Sequence, residues 1–114
     1  MNAVNILEKH LENARFAPII KEAIQIVNDS KQVSVDNSSE IYTDSGYLVR
    51  LYEGRLKYGN VNNVPGIHDT LNFLRQKNIK IKTEFILADE KIIMLIKSID
   101  DDLVGIMIFT LKTQ

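Results

Sequence analysis

The chain has 114 residues, a formal net charge of −1 and no cysteine. A chain of this length buries roughly two-thirds of its unfolded surface as one domain, so a single α+β domain over residues 1–114 is expected. The missing thiols exclude disulfides, thiolate catalysis and cysteine-bound zinc or iron–sulfur centres, and the near-neutral balance (pI ≈ 6.1) argues against a whole-domain nucleic-acid footprint.

The first thirty residues carry a helical stripe. Val4, Leu7, Leu11 and Ala14 recur at three- and four-residue steps, and Ile20, Ala23, Ile24 and Val27 continue it. Pro18 lacks an N–H and biases Ala17 away from helical dihedrals, so the prediction is an N-terminal helix kinked or broken near 15–18. Asn28-Asp29-Ser30 stops it. Glu8, Lys9, Glu12 and Arg15 interrupt the apolar run, so neither a signal peptide nor a membrane span is expected. With no lipidation signal either, the expected location is cytoplasmic. The abundance of Ile, Asn and Lys fits an AT-rich genome of bacterial or phage origin.

Residues 31–61 read as strands: a short edge strand around Val33 and Val35, then Ile41 to Thr43, Tyr47 to Tyr52 and Arg55 to Val61. Asp44-Ser45-Gly46 and Glu53-Gly54 are the turns between them. Pro65 opens a middle helix with Ile67, Leu71 and Leu74 buried and Asn78 at its end. Ile79, Ile81, Thr83, Phe85 and Leu87 alternate with Lys80, Lys82 and Glu84, which predicts a half-buried strand with a cationic outer face. KIIMLIKSI and LVGIMIFTL are apolar on both faces, so both faces must be covered, by helices or by a second subunit. The expected architecture is therefore an antiparallel sheet of five or six strands with a kinked N-terminal helix and one middle helix, and a homodimer is one way to cover the sheet.

Catalytic chemistry is thinly represented. His10 and His68 sit on different predicted helices, outside any metal-binding spacing, with His10 expected at the rim of the first helix. Asp89-Glu90 and Asp100-Asp101-Asp102 invite a hard cation, but successive turns of a meander lie at opposite ends of the sheet, about 30 Å apart. They read as solvated hairpin tips. The glycines never cluster into a phosphate loop and no serine sits in a nucleophile elbow. No catalytic residue, metal or cofactor is assigned, and the chain is not expected to be an enzyme.

The densest run is YLVRLYEGRLKYGN, Tyr47 to Asn60. With Glu53-Gly54 as a two-residue loop, Tyr47, Val49, Leu51, Leu56 and Tyr58 share an apolar face, and Arg50, Tyr52, Arg55 and Lys57 project from the other with Leu48. Arg50 opposite Lys57 is a like-charge pair, relieved either by Glu40 on the next strand or by an acidic partner. Tyr and Arg are also the types that dominate binding hot spots. Arg50, Tyr52, Arg55 and Lys57 are therefore the candidate partner-binding residues. The leading expectation is a small non-enzymatic protein-binding module, an immunity or inhibitor protein that meets an acidic protein surface. The alternatives are a nucleic-acid-binding module using the same hairpin with Lys80 and Lys82, and a small-molecule-sensing or enzymatic domain with a pocket under the sheet.

Overall fold

A computed structural model describes residues 2–36, 41–42, 65–76 and 79–110 of the chain. Their order is α1 (Ala3–Glu8), α2 (Ala17–Asp29), β1 (Val33–Asp36), β2 (Ile41–Tyr42), α3 (Ile67–Gln76), β3 (Ile81–Ala88), β4 (Lys91–Ser98) and β5 (Leu103–Thr110). The class is α+β with one antiparallel sheet. The expected strands over 47–52 and 55–61, the hairpin between them, Glu40 and Asn78 lie outside the described residues.

The N-terminal region is two helices; a kink or a break was expected near 15–18, and the helical run stops earlier, after Glu8. Asn2 caps α1, its Oδ1 accepting the Val4 N–H at 2.9 Å, a contribution of about 1 kcal/mol. From Lys9 to Phe16 the chain runs in turns closed by i→i+3 bonds, among them His10 N–H to Leu7 O and Asn13 N–H to His10 O. Asn13 takes the Arg15 N–H on its own Oδ1 at 3.2 Å. Such a local bond competes with helix continuation, so the break starts well before Pro18. Pro18 opens α2 in its first turn, where its missing N–H has no helical partner to lose. At the far end Ser30 Oγ donates to the Ile26 carbonyl at 2.6 Å.

The sheet is four positions wide. β1 and β2 share the outer edge of β3, with Val33 to Asp36 opposite Ala88 to Phe85 and Ile41 and Tyr42 opposite Lys82 and Ile81. β3, β4 and β5 follow as a meander. The two-residue turn at Asp89-Glu90 puts Ala88 opposite Lys91 and Lys82 opposite Lys97. Between β4 and β5, Ile96 pairs with Gly105 and Lys97 with Leu103. Val104 is thus the extra residue of a β-bulge, and it flips the inward phase of β5 along its length.

Helices cover both faces. On one side α1 and α2 bury Ala3, Ile6, Leu7, Ile20, Ala23 and Val27 against Ile86, Ile93, Leu95, Leu103, Ile106 and Ile108. On the other, Leu71 and Leu74 of α3 meet Ile81, Met94, Ile96, Val104 and Met107. The two-sided apolar character of β4 and β5 is thus satisfied inside the chain, and it gives no support to a second subunit. The expected outer face of β3 is likewise a second interior. Ile86 and Ala88 are buried in it, while Leu87, expected inward, is 40% exposed.

The outer edge of β5 is closed by the start of α3. Thr70, fully buried, donates its hydroxyl to the Ile106 carbonyl at 3.2 Å and accepts the Ile106 N–H at 3.1 Å. The Ile108 N–H reaches the Pro65 carbonyl. Those groups would otherwise stand as an open edge, ready to pair with another chain. Gly66 makes the approach possible: its φ is +85°, and a Cβ there would overlap the Ile106 carbonyl oxygen.

Candidate functional site

The four residues expected to bind a partner, Arg50, Tyr52, Arg55 and Lys57, lie outside the described residues. The described part of the chain gathers its ionisable groups at two other places, one at each end of the meander.

The first lies under the connector Lys9–Phe16. Lys82 on β3 and Lys97 on β4 are direct cross-strand neighbours on the α1/α2 face. Two ammonium groups so placed repel, and the fold supplies each with its own carboxylate. Lys97 Nζ lies 3.4 Å from Glu84 Oε1, both side chains only 14% exposed. Lys82 pairs with Asp101 from the β4–β5 turn. Asp101 occupies the left-handed region, φ 69°, within a turn closed by the Ser98 N–H on the Asp102 carbonyl at 2.8 Å. The Lys82 ammonium holds the Asp101 carboxyl below its ordinary range.

Above these pairs sits His10. It lies in the connector, half-buried, and not at a helix rim as expected. Lys9, His10 and Asn13 line one wall of a cleft of about 460 Å³, and Asp101, Asp102 and Leu103 line the other. Asn13 Nδ2 ties the walls together by donating to the Leu103 carbonyl at 3.3 Å. Burial depresses the His10 pKa first and the Lys97 charge second, Lys9 adding to the effect and Glu84 and Asp101 opposing it. Of the carboxylates near it, Glu84 and Asp101 are engaged with Lys97 and Lys82, and Asp102 lies on the opposite wall of the cleft.

Arg15, at the end of the same connector, reaches round the β5 edge. Its guanidinium donates to the Asp69 carbonyl at 3.2 Å and stands 5.5 Å from the Phe73 ring centroid. One side chain thereby joins the two helical layers that the sheet separates.

The second place is the opposite end, at the Asp89-Glu90 turn. The Asp89 carboxylate accepts the Lys31 N–H at 3.0 Å and the Gln32 N–H at 2.9 Å, and Asp89 N–H donates to the Gln32 carbonyl. These backbone bonds lower its pKa. Asp89 is exposed in the hairpin turn, as expected, and it also clasps the β3–β4 hairpin to the α2–β1 loop. A cleft of about 610 Å³ opens beside it, lined by Asp29, Lys31, Glu90 and Lys91 among others. The two acidic turns do lie at opposite ends of β4 and do not converge. His68 is exposed on α3. Among the described residues no group of three or more His, Asp or Glu side chains is placed to hold a metal ion, and no helix is long and apolar enough to cross a membrane.

Glu84, Lys97 and His10 form the polar group that the sequence reading missed. Part of it was accessible there: a two-residue Asp89-Glu90 loop already places Lys82 opposite Lys97 with Glu84 diagonal to Lys97. His10 carried no such signal. Compared with known protein families, curated proteins and solved structures, the chain matches none.

Proposed function

We propose that the protein is a small non-enzymatic protein-binding module, of the immunity or inhibitor kind, that docks on an acidic surface of its partner through Arg50, Tyr52, Arg55 and Lys57. The observation that supports this is how the ionisable groups gathered by the fold are used. Glu84 holds Lys97, Asp101 holds Lys82, and Asp89 holds two backbone N–H groups. Groups engaged in this way fasten the structure and are poor acids, bases or nucleophiles. The Tyr47 to Asn60 sequence carries the arginine and tyrosine types that anchor interfaces and a positive charge of the kind that speeds encounter with an acidic partner.

The test is affinity capture from the native host with the wild-type chain and with the Arg50→Glu/Lys57→Glu double variant, followed by titration of the purified captured protein. Charge reversal is expected to weaken binding at least about tenfold, mainly through slower association and a weaker salt dependence. Equal affinity of the two proteins for the same partner sinks the assignment of these residues. A captured nucleic acid, with steep loss of affinity in added salt, replaces the protein partner by the alternative reading.

A further inference from the structure

Among the described residues the sheet ends in β1 and β2 on one side and in β5 on the other. β1 has four residues and finishes on Asp36, and short or charged edge strands resist pairing with another chain. β5 is the opposite case. LVGIMIFT is eight residues long, with no charge, no proline and one glycine, a composition that pairs readily with further strands. Its outward-pointing groups include the N–H and C=O of Ile106 and the N–H of Ile108, and the start of α3 takes these three: Thr70 Oγ1 bonds both groups of Ile106, and the Pro65 carbonyl accepts from Ile108. This guard is slight. α3 has ten residues, too few to hold a helix by themselves in water, and it is fixed to the sheet through the buried side chains of Thr70, Leu71 and Leu74. Arg15 adds a bond from outside, to the Asp69 carbonyl.

We propose that residues Pro65 to Thr70 are a removable strap, and that when the strap lifts, β5 pairs with β5 of a second copy of this chain. The strand is self-complementary about Met107. An antiparallel pair centred there sets Ile106 of one copy opposite Ile108 of the other, so the groups that bond Thr70 and Pro65 in the closed form bond each other in the dimer. Ile106 and Ile108 belong to the α1/α2 layer, Met107 and Phe109 to the α3 layer, and this register keeps each layer continuous across the join. Phe109 of one copy falls opposite Gly105 of the other, over the space that the Thr70 methyl group fills in the closed form; an aromatic ring against a strand glycine is a favourable pairing. The contact uses the same surface on both copies, so it closes at a dimer. Gly66 sets the balance between the two forms. With φ +85° and no Cβ, it lets the strap lie against the Ile106 carbonyl. Both copies must open to pair, so the apparent affinity scales with the square of the open fraction: an about tenfold rise in that fraction tightens dimerisation about a hundredfold.

Sedimentation equilibrium of the full chain, with amide hydrogen exchange at Ile106 and Ile108, tests this. Thr70→Ser keeps both bonds to Ile106 and is expected to dimerise as weakly as the wild-type chain. Gly66→Ala carries a Cβ that cannot sit against the Ile106 carbonyl, and it is expected to dimerise about a hundredfold more tightly. In its dilute monomer the Ile106 and Ile108 amides are expected to exchange fast, and in its dimer to be protected again. Thr70→Val removes the bonds to Ile106 but leaves the Gly66 turn, so it is expected to fall between the two, and it decides the matter where Gly66→Ala does not fold. Folded Gly66→Ala and Thr70→Val chains that dimerise no more tightly than Thr70→Ser overturn the strap. So does a dimer in which both amides stay unprotected, since its interface lies elsewhere, or an open-ended polymer, which a two-fold β5 pair cannot form.

Discussion

Thr70→Val is the sharpest probe of how this fold protects itself. Valine keeps the shape of threonine but removes the hydroxyl that both donates to the Ile106 carbonyl and accepts the Ile106 N–H, at 3.2 and 3.1 Å. Thr70 is fully buried, so water cannot replace it. Each buried group left unpaired costs about 1–3 kcal/mol, and the two together roughly 2–6 kcal/mol, a large part of the 5–15 kcal/mol typical of a domain. At about 4 °C per kcal/mol the melting temperature should fall by roughly 8–24 °C. Thr70→Ser separates the hydroxyl from the methyl group. It keeps both hydrogen bonds and loses the Cγ2 that packs on Gly105, at about 1 kcal/mol. The assays are urea unfolding for stability and amide exchange at Ile106 for the local effect. Stability should rank wild type above Thr70→Ser above Thr70→Val. A valine variant within about 0.5 kcal/mol of wild type, or a serine variant less stable than it, would refute the edge-closing role of this hydroxyl.

Two further outcomes follow from the charged ends of the sheet. Glu84→Gln leaves Lys97 buried without its counter-charge and should cost about 3 kcal/mol in urea unfolding, while the double change Glu84→Met/Lys97→Met should recover most of that loss; no recovery would mean that the cost lies in packing. Asp89→Asn keeps a residue type that accepts the left-handed conformation but cannot ionise. Because the folded-state carboxyl of Asp89 titrates below 3.8, its contribution is present above that pH and is lost as pH falls through the folded value. The variant should therefore be less stable at neutral pH, with the difference closing on acidification, as read by melting temperature against pH.

The sequence by itself determined the class of the fold, because hydrophobic periodicity is a local property. The stripe from Ile20 to Val27, the alternation through Ile81 to Leu87 and the two-sided strands after it each name an element without reference to its neighbours. The register of the Asp89-Glu90 hairpin, and with it the Lys82–Lys97 opposition, came from the structure. Where the helix breaks was less legible, since Asn13 competes through a side-chain bond that has no periodic signature. Tertiary structure alone decided the rest. That α1 and α2 take one face of the sheet and α3 the other, that Thr70 finds the backbone of Ile106, that Arg15 crosses the edge to Asp69, and that His10 comes to rest above Glu84 and Lys97 all join residues far apart in the chain. Such contacts depend on how whole elements dock, and on a bulge at Val104 that reverses the inward phase of β5. Local residue pattern carries no term for any of these.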